Sequence, residues 1–363
     1  MHHTVHMFCK LNSRIYSALF EVLHDLSCLN GSKFYLEKDR TYHCHLLMKE
    51  TGIKLILRSK EMEDGISYKA LEIIMNPMRL LNKNDYLQLA SIEHCQSIYT
   101  AFEKALKPIK KEFKSRKCNK KLTFQLHHLD SYSFKRVDFA VNFYTEHIKL
   151  YMKLIKRANI PNGFQQYLTY RESSKRYEPT EHSFYIFRKS KSKSKHEHVT
   201  LTVQCYDKGE QLKENNLPCL DEDANYTIRF EVQCHYNKVF RIIKSNGLSK
   251  QGFCQFLRED ISDNELHKYF KKTIGYGDYY TLSKAKEIIR RKRLHSETNE
   301  ALIATLELVN SKRGIWKARE TVEDMMEFDK RIKKLLELGV NPVTIPITEG
   351  VDYLPCLFDC GKE

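Results

Sequence analysis

The chain has 363 residues, 41% hydrophobic and 11% aromatic, which is enough for a sizeable core and unlike a disordered polypeptide. Its 61 Lys and Arg against 46 Asp and Glu leave a formal net charge of +15, which makes nucleic acid the first candidate partner. No stretch approaches the roughly 20 apolar residues of a membrane span, and the start, MHHTVHMFCKLNSR, has no apolar signal segment, so a cytoplasmic protein with no membrane partner is expected.

This length predicts two domains. Apolar spacing predicts a helix from Arg14 to Leu29, followed by strands at Tyr42–Met48, Ile53–Leu57 and Tyr68–Met75. From Asp85 to Phe113 the steps of Leu87, Leu89, Ile92, Ile98, Phe102 and Leu106 predict a helical insert. It leads into the basic run 104–121, which reads either as a solvated helix end or as a strip following a phosphate backbone. Residues 122–235 read as strands with two inserts: a helix near 147–158 and a mobile loop at 187–198, FRKSKSKSKHEH, carrying Arg188, Lys189 and Lys191.

From Leu248 the pattern turns helical. The expected fold is therefore α+β: a central antiparallel β-sheet catalytic domain with helical insertions over 1–247, then an α-helical C-terminal domain over 248–363. Ser283 is a candidate N-cap for a helix over Lys284–Arg293. After a turn near Leu294–Thr298, a second helix sets Leu302, Ile303, Leu306 and Val309 at core spacing. The pair is either a helix-turn-helix that offers Arg290, Arg291, Lys292 and Arg293 to duplex DNA, or a cap packed on the sheet. A long helix from Ile315 to Leu338 is expected to end at Gly339, before Asn341-Pro342. The 11 cysteines are scattered without a CxxC pair, and nothing near Cys356 and Cys360 completes a zinc site, so free reduced thiols are expected.

Three segments put chemistry on one face. In KRVDFAVNF (135–143), Val137, Phe139, Val141 and Phe143 alternate with Arg136, Asp138, Ala140 and Asn142. In HVTLTVQCYDKGEQ (198–211) the apolar set is Val199, Leu201, Val203 and Cys205, which leaves Tyr206 on the polar side. In TIRFEVQCH (227–235), Ile228, Phe230, Val232 and Cys234 oppose Arg229, Glu231, Gln233 and His235. Strand alternation buries one set and presents the other. If the three share a sheet, Asp138, Tyr206, Arg229 and Glu231 meet on one surface. Two hard carboxylates suit Mg²⁺ or Mn²⁺, which polarises a phosphate. Arg229 offsets the transition-state charge, and Lys208 favours the phenolate of a tyrosine nucleophile. Ordinary cross-strand ion pairing is the alternative.

These segments, with YKALEIIMNPMRLL (68–81) and the Tyr206-Asp207-Lys208 turn, occur in an order that resembles the gene II/X replication proteins of filamentous phages. They also resemble rolling-circle initiators of Gram-positive plasmids. The resemblance spans about residues 50–235, with an echo in ELGVNPVTIP (337–346). It implies a DNA nicking–closing enzyme that forms a 5′-phosphotyrosine link at an origin, acting on single-stranded and duplex origin DNA beside a host helicase and polymerase. Carried over by motif, Tyr206 is the nucleophile, Lys208 and Arg229 assist it, and Asp138 and Glu231 bind the Mg²⁺ or Mn²⁺. Glu210 is a further metal ligand, one residue closer to the tyrosine than in the phage form. Tyr185, in SFYIFRKSK, matches the plasmid relatives' tyrosine ahead of an Arg-x-Ser segment and is a second nucleophile or a packed strand residue. His43-Cys44-His45 matches the paired-His metal motif of other nickases. A conjugative-element relaxase and a non-catalytic DNA-binding regulator are the competing functions.

Overall fold

Alternating apolar and polar residues build most of the strands, and helical stripes cover their apolar side. A computed structural model describes residues 2–37, 40–61, 67–115, 126–171, 176–178, 180, 182–191, 197–217 and 222–358. The strands are β1 (His2–Lys10), β2 (Phe34–Glu37), β3 (Thr41–Cys44), β4 (Lys54–Glu61), β5 (Ser67–Met75), β6 (Ser133–Tyr144), β7 (Gln165–Gln166), β8 (Thr169–Arg171), β9 (Arg176–Glu178), β10 (Ser183–Lys191), β11 (Glu197–Asp207), β12 (Thr227–His235), β13 (Tyr279–Tyr280) and β14 (Tyr353–Leu354). Ten form one sheet in the order β2-β3-β4-β5-β1-β6-β12-β11-β10-β7, and two small sheets pair β8 with β9 and β13 with β14. The neighbours of β1, β4 and β10 all run antiparallel to them. The chain is α+β with a large antiparallel sheet, as expected.

The helices are α1 (Ser13–Leu29), α2 (Met48–Thr51), α3 (Pro77–Leu81), α4 (Cys95–Ser115), α5 (Ile148–Ile155), α6 (Lys208–Glu214), α7 (Tyr236–Ser245), α8 (Glu259–Thr273), α9 (Leu282–Arg291), α10 (Ser296–Lys312), α11 (Ile315–Arg319) and α12 (Met325–Glu337). No helix among the described residues is long and apolar enough to cross a membrane. The chain divides into two units, Met1–Ala140 with Gln233–Asn264, and Val141–Val232 with Glu265–Glu363. The division passes through β6 and β12 and not at residue 247.

In the first unit Val5, Met7 and Cys9 of β1 are buried, α1 packs on β2, β3 and β5 and buries Tyr16, Leu19, Val22 and Leu23, and α4 packs on α1 and α3 and buries Ile98, Phe102, Leu106, Ile109 and Phe113. Asn12 starts α1 by accepting from the Ile15 amide at 2.9 Å. Each fully buried aliphatic or aromatic side chain contributes about 1.5–3 kcal/mol. The other side of β1 offers Thr4, His6, Phe8 and Lys10. There Glu72, 1% exposed, accepts from His6 at 2.9 Å, Arg58 at 2.8 Å and Lys135 at 2.8 Å. Burial alone pushes its carboxyl up, but these donors outweigh burial and hold it well below the usual carboxylate range.

His2 is fully buried and its Nε2 donates to the Phe256 carbonyl. Burial, and then the nearby N-terminal charge, drive its pKa down to about 3. The unfolded chain protonates this ring near 6.5, so folding stability is present above that pH and declines as acid is added towards pH 3. Below about pH 4.5 the loss of the Glu72 pairs adds to the decline. His2→Gln keeps a donor and removes the titration, so urea unfolding between pH 7 and 5 is expected to show a flatter pH profile than wild type.

The first unit also holds a disulfide between Cys95 and Cys254, 159 residues apart, with Cα atoms 5.7 Å apart. This corrects the expectation that every cysteine is a free thiol. Cys9, Cys28, Cys44, Cys205, Cys234 and Cys356 are free, and Cys360 lies outside the described residues. A cross-link over so long a loop typically contributes about 2–4 kcal/mol. Reduction, or Cys95→Ser, is expected to lower the denaturant midpoint accordingly; an unchanged midpoint would mean the bond contributes nothing.

In the second unit Phe143 and Phe230 pack with Phe270 of α8 at 6.0 and 5.4 Å between ring centroids, and α5 buries Ile148, Leu150, Tyr151, Leu154 and Ile155. This packing is why residues after 265 belong with the sheet of their unit and form no separate helical domain. In α9 and α10, Ala285, Ile289, Leu302 and Leu306 share a core with Leu335 and Val340.

Several local expectations are corrected. Residues 85–91 are not helical, because α4 and its 3₁₀ lead-in begin only at Ile92. The N-cap of α9 is Thr281, with Ser283 inside the first turn. The long helix from 315 breaks into α11 and α12, the second restarted by Asp324, which accepts from the Glu327 amide at 2.9 Å. It ends before Gly339, whose φ of +80° suits glycine. Residues 187–191 and 197–198 are hairpin strands and not a loop; 192–196 lie outside the described residues, as do 116–121 of the basic run.

Candidate active site

On β11, Leu201, Val203 and Cys205 point to the core, which leaves Gln204 and Tyr206 on the opposite face. On β12 the same alternation sets Arg229 and Glu231 against Ile228, Phe230 and Val232. Tyr206 donates its hydroxyl to Glu231 Oε2 at 3.0 Å, and Gln204 Nε2 donates to Oε1 at 3.2 Å. Arg229, 0% exposed, donates Nε to Asn142 Oδ1 at 2.8 Å and also hydrogen-bonds Tyr206. Glu231 is 2% exposed and Tyr206 7% exposed. The predicted Tyr206, Arg229 and Glu231 therefore meet in one buried network.

The electrostatics of this network oppose a free phenolate at Tyr206. Burial raises its pKa well above 10, the Glu231 charge raises it further, and only Arg229 acts in the lowering direction. Tyr206 links the buried Glu231 carboxylate to Arg229, and removing one member of such a network costs its neighbours a partner.

Tyr185 sits one strand away. Its register partner on β11 is Gln204, while Ser183 faces Tyr206. Directly opposed residues share a face, so Tyr185 lies on the Gln204–Tyr206 side. It is partly exposed, and its ring packs against Tyr167 at 5.3 Å and Phe187 at 6.4 Å. With β11 between, it stands two strand spacings, about 9–10 Å of backbone, from Glu231.

The remaining candidates fall elsewhere. Lys208 is 2% exposed at the start of α6 and donates to Gln211 at 2.8 Å. Glu210, on the surface of the same helix, pairs with Lys213 at 2.8 Å, and that hydrogen bond lowers its pKa. The geometry does not bring Glu210 to Glu231. Asp138, in the first unit, is 1% exposed and pairs with Arg136 Nε at 2.9 Å. Arg188 and Lys189 are exposed on β10, with Lys189 paired to Glu197 at 3.3 Å, and Lys191 ends that strand. His43, on β3, and His45, just beyond its end, both meet Tyr35, at 5.3 and 5.7 Å between ring centroids, and His43 pairs with Glu37.

Among the described residues no three His, Cys, Asp or Glu side chains are placed to hold an ion. A closed zinc-type cage does not fit. The hard carboxylate oxygens of Glu231, which is 2% exposed and accepts from Tyr206 and Gln204, are of the donor type that Mg²⁺ or Mn²⁺ takes.

Neither a protein-family model nor a curated protein matches the chain.

Sequence patterning missed Gln204 and Asn142 as members of the network. Both were legible in principle, Gln204 two residues before Tyr206 and Asn142 four after Asp138 on alternating strands. It also missed the Glu72 cluster, whose four members come from four strands.

At the far end of the second unit, Arg290, Arg291, Lys292 and Arg293 are all exposed, with Arg291 paired to Glu287. Replacing these four by Gln is expected to leave folding intact and to weaken duplex binding. The slope of log affinity against log salt should flatten by up to about 0.9 for each phosphate that is no longer neutralised. An unchanged slope, read by fluorescence anisotropy, would assign the run to solvated surface. Truncation at 248 cannot serve as this test, because it removes Phe270 from the second unit's core.

Proposed function

We propose that the protein is a tyrosine-dependent DNA nicking–closing enzyme of rolling-circle replication, acting on single-stranded and duplex origin DNA. The observation that carries this reading is the buried Glu231, held by Tyr206 and Gln204 on the sheet face that also presents the partly exposed Tyr185. A strand laid across β10, β11 and β12 would meet the Tyr185 phenol at one side and, about 9–10 Å away across β11, the Glu231 carboxylate with its tyrosine–arginine network.

Access moves the nucleophile role from Tyr206 to Tyr185. In the forward step the Tyr185 hydroxyl oxygen bonds to phosphorus, the bond from phosphorus to the 3′ oxygen breaks, and the freed 3′ oxygen takes up a proton. The phenol proton leaves to a nearby base or water. The 5′-phosphotyrosine link keeps the phosphodiester energy, so a later attack by a 3′-hydroxyl recloses the strand. Tyr206 and Arg229 are positioning residues that hold the Glu231 carboxylate. Glu231 would hold a Mg²⁺ or Mn²⁺, which when bound supplies charge neutralisation at a non-bridging phosphate oxygen.

The deciding experiment incubates the protein with a pool of single-stranded oligonucleotides and Mn²⁺, and maps any protein–DNA adduct by peptide mass spectrometry. An adduct on a tyrosine supports the reading. DNA binding with no adduct across the pool and on supercoiled plasmid would favour a non-catalytic DNA-binding regulator.

A further inference from the structure

In the first unit, α7 lies over the outward face of β1, and between them opens a cavity of about 510 Å³. Its lining includes Phe8 and Lys10 of β1, Ser133 of β6, Tyr236 and Phe240 of α7, and Lys250. Tyr236 and Phe240 stand one helical turn apart and are 54% and 48% exposed, and the Phe8 ring lies 6.4 Å from that of Tyr236. The buried side of α7 is Val239, Ile242 and Ile243, so neither exposed ring is needed to seat the helix. Large aromatics left in water beside a cavity mark a site that a partner covers.

The charge around the cavity selects the partner. Lys10 and Lys250 are both exposed at it. Asp130, the acid that also lines it, is exposed and accepts through Oδ1 from the Phe253 amide at 3.0 Å and from the Tyr99 hydroxyl, so the lysines outnumber the acid two to one. Farther along the same sheet face, Arg58 and Lys135 converge on the single carboxylate of Glu72. Lysines beside exposed aromatic faces form the combination that takes the backbone and bases of single-stranded nucleic acid. The volume accommodates a nucleotide or two, and the Ser133 hydroxyl can bond a base edge.

We propose that this cavity is a base-stacking site for single-stranded DNA, in which one or two bases lie against Tyr236 and Phe240 while Lys10 and Lys250 meet the flanking phosphates. The choice of DNA over another aromatic polyanion rests on the nicking function proposed above; the stacking geometry does not.

The test measures binding of a fluorescent 12-residue oligothymidylate by anisotropy in EDTA, where no cleavage occurs. Tyr236→Ala/Phe240→Ala is compared with wild type and with Met326→Ala, a control at another exposed site. Stacking of one or two bases predicts a loss of about 10- to 100-fold in the double variant and none in the control. An oligonucleotide with abasic residues should bind wild type as weakly as the thymidylate binds the variant, with no further loss when the two changes are combined. Wild-type binding that is absent, or indifferent to the variant or to the missing bases, overturns the proposal. Aromatic-dependent binding by a protein that never forms a tyrosine adduct would overturn the enzyme reading and leave this one standing. An adduct-forming protein whose affinity ignores Tyr236 and Phe240 would do the reverse.

Discussion

Tyr185→Phe is expected to abolish the covalent DNA adduct, with no measurable 5′-phosphotyrosine remaining, while stability and DNA affinity stay near wild type. The change deletes one hydroxyl from a partly exposed ring that keeps its packing on Tyr167 and Phe187. Tyr206→Phe removes a buried hydroxyl bonded to Glu231, so it should cost about 1–3 kcal/mol of stability and slow adduct formation without preventing it. Burial makes the two tyrosines separable. A phenol whose pKa is driven far above 10 by desolvation and an adjacent carboxylate is a weak nucleophile. The measurement is an adduct assay on denaturing gels beside urea unfolding of each variant. An adduct that survives Tyr185→Phe and disappears in Tyr206→Phe would return the nucleophile role to Tyr206 and require the network to open before attack.

Glu231→Gln should lower nicking by about 10²–10⁴-fold, the range associated with losing a positioned acid–base or charge-stabilising group, and raising Mn²⁺ should not restore it. Gln keeps the shape and can still accept from Tyr206, so the protein should remain folded. Glu231→Ala is a harsher change. Both changes remove the negative charge near the buried Arg229, but Ala also strips the acceptor from the Tyr206 hydroxyl and the Gln204 amide, and each buried donor left unpaired costs about 1–3 kcal/mol. Urea unfolding should therefore separate the two variants, with the midpoint of Glu231→Ala well below that of Glu231→Gln. Equal nicking by Glu231→Gln and wild type would remove Glu231 from the chemistry. Equal stability of the two variants would mean that the Tyr206 and Gln204 donors find other acceptors when the Glu231 side chain is gone.

The strands that carry the candidate site were legible because alternation is a local signal. Val137, Phe139, Val141 and Phe143 on one side and Asp138 and Asn142 on the other read as a half-buried strand before any fold is known. The same signal placed Tyr206, Arg229 and Glu231 on polar faces. It failed where a local pattern carries two meanings. The run 85–91 reads as one with the helix that follows it but is irregular, with its buried Leu87 and Leu89 serving the first unit's core. Residues 187–191 and 197–198 have loop composition but pair as strands, because Phe184 and Ile186 bury the other end of β10.

The amino-acid pattern alone determined which residues face the core, which strands bear carboxylates and tyrosines, and that the chain is a basic α+β protein. These follow from side-chain period, hydrophobicity and charge, which are properties of neighbours in sequence. Only the tertiary structure decided how deeply each polar group is buried. It sealed Tyr206 under Glu231 and Arg229 while leaving Tyr185 open, brought three side chains from three strands onto Glu72, and joined Cys95 to Cys254. Solvent access and pairing across many tens of residues depend on what packs above a strand. No local pattern records that, because the covering groups come from distant parts of the chain.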